Sequence, residues 1–377
     1  MNHKERFARA LNHKDTDRVT MDFGSTPVTG LHYDAYIKLR KYLKLDIDIE
    51  KIFFTSKMQQ SVMPDEDILK YFDIDTRGIY LGKPNKSLDM DLSEGNWQDM
   101  WGVVRKIPGN GSYYEIVNSP FQNKDFNIRS INDFEWPDCN DEGFYNGIFE
   151  RAKKLNEKDY GTILIIGGSV VHISQFMRGF ENWYMDLILN PKLIQEMMQI
   201  ITDFYIGVLK NAFKNLGKFG KTIDAVFFSD DLGTQESTQI STDFYRKLIK
   251  PFHKKLYSFV RKEIGSDVFL HSCGAIYPLI DDLIEAGITI LNPVQVSAKN
   301  MDIIKLKNDF GDKLVFWGAI DSTRLLVSGN SNDIRKKINE TINILGKDGG
   351  YVLSASHNIQ TDIPVENILQ LFKATRF

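Results

Sequence analysis

Short apolar runs rich in β-branched and aromatic residues alternate along the chain with longer segments whose apolar residues recur every three or four positions. The runs fall at residues 18–23 (RVTMDF), 74–81 (IDTRGIYL), 162–167 (TILIIG), 225–229 (AVFFS), 268–271 (VFLH), 288–292 (ITILN), 314–318 (LVFWG) and 351–354 (YVLS). The last six are near-continuous, as parallel strands buried on both faces are. Between them, residues 192–214 place Ile194, Met197, Met198, Ile201, Phe204, Tyr205 and Val208 on one helical face, and Asn190-Pro191 reads as a cap followed by a first-turn proline. Residues 242–262 repeat the pattern, with Pro251 predicting a kink, and Asp362 with Pro364 opens a final helix over 365–374. This alternation predicts an α/β fold, a (β/α)8 TIM barrel formed by residues 1–377 as one domain. A doubly wound open sheet is the fallback.

Residues 81–161 break the repeat. They hold Trp97, Trp101, Trp136 and a turn signal at 108–111 (PGNG) between two β-like flanks, 101–107 and 112–117. The simplest reading is an insertion after the second strand that contributes a hairpin turning at Asn110-Gly111.

Composition narrows the class. The chain has 377 residues, 42% hydrophobic and 26% charged, which is ordinary for a globular protein and excludes disorder. Two cysteines exclude a disulfide scaffold, and a net charge of -3 on 47 basic and 50 acidic residues offers no footprint for nucleic acid or an anionic membrane. The N-terminus is charged throughout, with no apolar core of a signal peptide, and the apolar stretch 163–173 is too short and polar to span a bilayer. A reducing cytoplasm is the expected compartment, and a small molecule the expected partner.

In a barrel, chemistry collects just past the C-terminal ends of the strands. His271 and Cys273 close the fifth run two residues apart, so their side chains point the same way, and imidazole with thiolate suits a borderline-soft ion such as zinc. A buried cysteine beside a hydrogen-bonded histidine is the alternative. His357, just past the eighth run, is a candidate third ligand, or an anion-binding histidine. Asp230 and Asp231 follow the fourth run as candidate catalytic carboxylates; adjacent residues face opposite ways, so one is expected to face the barrel axis and the other to cap a helix or hold a neighbour, the alternative being that both are turn and cap residues. Phe23, Gln175, Arg178, Gln235 and Asn292 are candidate substrate-binding residues at the same rim, with Arg178 suited to an anionic group, an exposed surface arginine being the alternative. The glycine pairs match neither a dinucleotide fingerprint nor a phosphate loop, and neither Ser169 nor Ser354 sits in a nucleophile elbow.

Four segments carry a family resemblance: ERFARALNHKDTDRV near the start, HSCGAIYPLIDDLIEAGITILNPVQ, LVFWGAID, and GGYVLSASHNIQTDIPVENI near the end. The chain resembles the uroporphyrinogen decarboxylase superfamily, whose (β/α)8 barrels include cofactor-free decarboxylases and corrinoid-dependent methyltransferases. The decarboxylases resemble one another in an arginine-rich N-terminal segment that holds substrate carboxylates; here that region reads Phe23-Gly24-Ser25-Thr26-Pro27, without arginine. The resemblance therefore implies the methyltransferase branch, in which H-x-C supplies zinc ligands, matched by His271 and Cys273. The third ligand of that branch is a cysteine after the last strand, where this chain has Ser356-His357.

Two imidazoles and one thiolate leave zinc with a formal charge of +1, against 0 for two thiolates and one imidazole. The more cationic ion is the better Lewis acid and the poorer activator of a thiol. The expectation is a zinc-dependent methyltransferase that demethylates a small methyl ether. The chain lacks a D-x-H-x-x-G corrinoid motif, so cobalamin would be carried by a separate protein. Two alternatives stand beside this one: a metal-free decarboxylase or lyase of a small carboxylated substrate, and a non-catalytic tetrapyrrole or corrinoid binder.

Overall fold

A computed structural model describes residues 1–373 apart from 87, 110 and 124. Eight strands form one parallel sheet: β1 (Thr20–Met21), β2 (Thr76–Tyr80), β3 (Gly161–Gly168), β4 (Ala225–Ser229), β5 (Asp267–His271), β6 (Ile290–Asn292), β7 (Val315–Ile320) and β8 (Tyr351–Ala355). Their spatial order is β1-β8-β7-β6-β5-β4-β3-β2, so each strand lies beside its neighbour in sequence. The two ends meet where the Asp75 amide donates to the Met21 carbonyl at 3.0 Å, which rolls the sheet into a barrel. All eight apolar runs become these strands.

The principal helices are α1 (His3–Leu11), α2 (Tyr33–Tyr42), α3 (Ile148–Asn156), α4 (Val171–Arg178), α5 (Phe180–Leu189), α6 (Pro191–Leu216), α7 (Lys250–Phe259), α8 (Ile280–Ala286), α9 (Ile303–Phe310), α10 (Ser331–Leu345) and α11 (Val365–Lys373). Among the described residues no helix is long and apolar enough to cross a membrane. Pro251 disturbs its helix as a π turn, Tyr245–Ile249, that runs directly into α7. Asn190 stands at the N-cap of α6, but its side chain donates to Asp186 Oδ1 at 2.8 Å instead of capping the helix.

Two apolar layers hold the barrel. The larger lies between strands and helices. The smaller fills the interior with alternate strand residues, among them Ile163, Ile165, Phe227, Phe269, Ile290, Trp317 and Val352. Helix α1 plugs the bottom with Phe7, whose ring meets Trp317 edge to face at 5.7 Å. Gly161 is required there, because a Cβ would lie 2.3 Å from the Phe7 ring.

Continuing the inward parity upward from Phe269 reaches His271, and from Ile290 reaches Asn292; the two are paired in register. The segment 81–161 does not project away from this end. It forms a four-stranded antiparallel sheet, Met90–Asp91, Asn96–Gln98, Val104–Lys106 and Glu115–Asn118. The flanks expected to pair as a hairpin do pair, through Val104–Lys106 and Glu115–Asn118. Position 110, in the expected turn, lies outside the described residues. A further three-stranded sheet from Leu31–His32, Ser61–Val62 and Phe54–Ser56 was not expected from the sequence.

Candidate functional site

A cavity of about 620 Å³ occupies the C-terminal mouth of the barrel. The strand ends supply Ser229, Asp231, His271 and His357 to its lining, helix α4 supplies His172, Ile173 and Phe176, and the insertion supplies Trp97, Asp99, Trp101 and Arg105. The insertion is thus part of the cavity wall.

His271, Cys273 and His357 converge in this mouth, with one ligand atom from each lying within 4.8 Å of the others. Cys273 Sγ is 3.3 Å from His271 Nε2, and the rings of His271 and His357 meet edge on at 5.5 Å. That spacing suits a tetrahedral ion with bonds of about 2.0–2.3 Å. Nδ1 of His271 donates to Asn292 Oδ1 at 2.5 Å, which leaves the Nε2 lone pair facing Cys273. Nδ1 of His357 pairs likewise with Asn358 Oδ1. Gly274, at φ 96°, turns the chain sharply after Cys273; a Cβ there would lie 2.4 Å from the Gly233 carbonyl carbon.

Electrostatics favour neutral histidines. Burial lowers His271, opposed by Asp231, and burial with the neighbouring His271 lowers His357 to about 4. Burial and Asp231 push the Cys273 thiol well up, so its thiolate needs a cation beside it. The donor set of two neutral imidazoles and one thiol that ionises on binding therefore fits a zinc ion.

The two carboxylates divide. Asp230 is buried under helix α4, where it accepts from the Val170 and His172 amides at 2.9 and 2.8 Å, from Ser169 Oγ at 2.8 Å and from His253 Nε2 at 3.0 Å. Burial would raise its pKa, but His253 and His172 hold it below the usual range. It anchors α4 as a cap and does not face the cavity. Asp231 opens onto the cavity, accepts from the Cys273 amide at 2.7 Å, and stands 3.7 Å from His271 Nε2 and 3.9 Å from His172 Nε2.

Four of the residues expected to bind substrate lie away from the cavity lining. Phe23 is core, its ring packed on Phe72 at 5.9 Å and Phe372 at 4.8 Å. Gln175 lies behind the wall against Tyr184 and Gln239, at 3.4 Å from each. Gln235 is exposed, and its carbonyl accepts from the Lys299 amide at 2.9 Å. Arg178 is spent on structure: Nε donates to Asp186 at 2.7 Å and Nη1 to the carbonyls of Phe121 and Asn123, so it ties α4 to the insertion. Asn292 is buried and touches the site only through His271. Sequence reasoning missed His172 and the insertion's Asp99 and Arg105. The available signal for His172 was its place five residues past the third run, on the rim where the other candidates collect.

The model of the family described as uroporphyrinogen decarboxylase (URO-D) matches residues 112–376. Uroporphyrinogen decarboxylase of Wolinella succinogenes is 30% identical over 76 residues, 20% of this chain and 21% of that protein, so the match spans about a fifth of the curated relative. Among solved structures, a methyltransferase from Methanosarcina mazei superposes with a TM-score of 0.64 at 16% identity, over 99% of this chain and 98% of that one. The 3-keto-D-glucoside 4-epimerase YcjR from E. coli is more distant, with a TM-score of 0.36 at 14% identity over 60% of this chain and 84% of that one. With its barrel, its rim cluster and a family match over most of its length, the chain belongs to the uroporphyrinogen decarboxylase family.

Proposed function

We propose that the protein is a zinc-dependent methyltransferase that takes the methyl group of a small methyl ether and passes it to a corrinoid on a separate protein. The observation that carries the reading is the convergence of His271, Cys273 and His357 at the mouth of a cavity sized for a small molecule. The fold shared with the Methanosarcina mazei methyltransferase supports it.

His271, Cys273 and His357 would hold the zinc, with Asn292 and Asn358 orienting the imidazoles. When bound, the metal supplies Lewis acidity towards a substrate oxygen, and the corrinoid supplies the acceptor for the methyl group. The protein's own groups do the rest. Asp231 and His172, 3.9 Å apart on the cavity wall, hold a proton at the place where the demethylated oxygen takes one up. Trp97, Trp101, Phe176 and Phe204 keep water from that oxygen. Asp230 keeps α4, and with it His172, in position.

The cavity favours this reading over decarboxylation of a porphyrinogen. Among the described residues that line it, Arg105 is the one arginine and there is no lysine, too few cations for eight carboxylates. The test is an assay with cob(I)alamin against methyl ethers, methylated amines and methyl thioethers, comparing the wild type with His271→Ala. Methylcobalamin formed from an ether, and lost in His271→Ala, supports the proposal. Turnover untouched by the substitution rejects the metal's role, and turnover confined to thioethers rejects the preference for oxygen.

A further inference from the structure

The cavity contains a buried cation with unspent donors. Arg105, on the insertion strand Val104–Lys106, is 3% exposed and lines the cavity. Its Nε donates to Asp99 Oδ2 at 3.1 Å, and its guanidinium lies over the Phe176 ring at 4.6 Å. Neither Nη group donates to any described residue, and the side chain lines the cavity. Burial holds this guanidinium below its ordinary pKa. A desolvated guanidinium with two free NH2 groups is an incomplete site, because buried polar groups ordinarily find partners.

None of the described carboxylates along the cavity accepts from an Nη group of Arg105. Asp99 already accepts from Arg105 Nε and from the amides of Trp101 and Val103, each at 3.0 Å. Asp89 accepts from Trp97 Nε1 at 2.5 Å, and Asp231 from the Cys273 amide. The walls between are aromatic, formed by Trp97, Trp101, Phe176, Phe204 and Tyr205. A chain of contacts runs from the guanidinium to the candidate metal ligands: Arg105 over Phe176, His172 stacked on Phe176 at 5.3 Å, and Asp231 between His172 and His271.

We propose that Arg105 is a specificity-determining residue whose free fork takes the carboxylate of an aromatic methyl ether of the methoxybenzoate type, with the ring held among the aromatic walls. The two Nη groups present the parallel donors that a carboxylate accepts end on, and the cavity volume suits one substituted ring. The inference rests on the methyl-ether reading and names its substrate class.

Trp97 and Trp101 line the cavity, so quenching of intrinsic fluorescence reports binding without turnover. The ligands are 4-methoxybenzoate, methoxybenzene and 4-methoxyphenyltrimethylammonium. The wild type is expected to bind the benzoate at least about tenfold more tightly than methoxybenzene. Arg105→Gln is expected to remove that preference and leave methoxybenzene binding unchanged. Arg105→Lys keeps the ion pair with Asp99, loses the fork, and is expected to fold while losing most of the preference. No binding of the benzoate, a preference retained in both variants, or tighter binding of the ammonium would overturn the assignment. Benzoate binding through Arg105 with no methylcobalamin formed would uphold this site and reject methyl transfer. Equal turnover of the benzoate and methoxybenzene would do the reverse.

Discussion

Nδ1 of His271 and Oδ1 of Asn292 lie 2.5 Å apart across β5 and β6, in direct register. The amide oxygen accepts only, so it fixes the proton on Nδ1 and leaves Nε2 free to bind a metal. Asn292→Leu is therefore expected to weaken zinc binding by about 10–100-fold while the fold persists, and Asn292→Asp to retain it. Competition with a chromophoric chelator measures this. Unchanged affinity in Asn292→Leu would show that the tautomer is set elsewhere.

At the opposite end of the barrel, Asp75 is fully buried and accepts from His3, Arg6, Arg18 and the Met21 amide at 2.7–2.8 Å. Asp75→Asn removes the buried carboxylate shared by Arg6 and Arg18, which keep Asp17 and Asp73, and is expected to cost about 1–3 kcal/mol. Burial would raise the pKa of Asp75, but the bonds from His3 and Arg18 hold it below the usual range. The unfolded chain therefore binds the proton first as pH falls. The contribution is complete above about pH 4 and is lost as pH drops towards the folded-state value. Urea unfolding of the wild type and Asp75→Asn should differ most at neutral pH and converge in acid. A gap undiminished at low pH would contradict this.

Arg178 joins α4 and α5 to the insertion through Asp186 and the carbonyls of Phe121 and Asn123. Arg178→Ala takes the cation from buried Asp186, which keeps the Asn190 side-chain amide, and is expected to cost about 3 kcal/mol, with faster amide exchange around Phe121 and no change in metal content. Lost zinc with unaltered exchange would return Arg178 to the site.

The strands were legible because both faces of most are apolar, so the runs at 162–167 and 225–229 announce themselves without periodicity. The pair His271 and Cys273 was legible because strand parity carries past Phe269. The direction of Arg178 was not legible, because position after a strand does not give it: at the end of α4 it sits more than a turn beyond His172 and faces the insertion. The direction of Phe23 was hidden for a similar reason, since the first strand ends at Met21 and the ring turns into the core. The contribution of Asp99 and Arg105 was hidden because the short strands of the insertion carry no signal of what they cover.

The zinc content of the protein purified without chelator, wild type against Cys273→Ala, tests the central claim most directly. Cys273 lies outside the apolar core, so the variant is expected to keep its circular dichroism spectrum and melting behaviour. The account predicts about one zinc per chain in the wild type and near-complete loss in Cys273→Ala. A wild type that takes up no zinc even when supplied with it, or a variant that retains a full equivalent, would contradict the account.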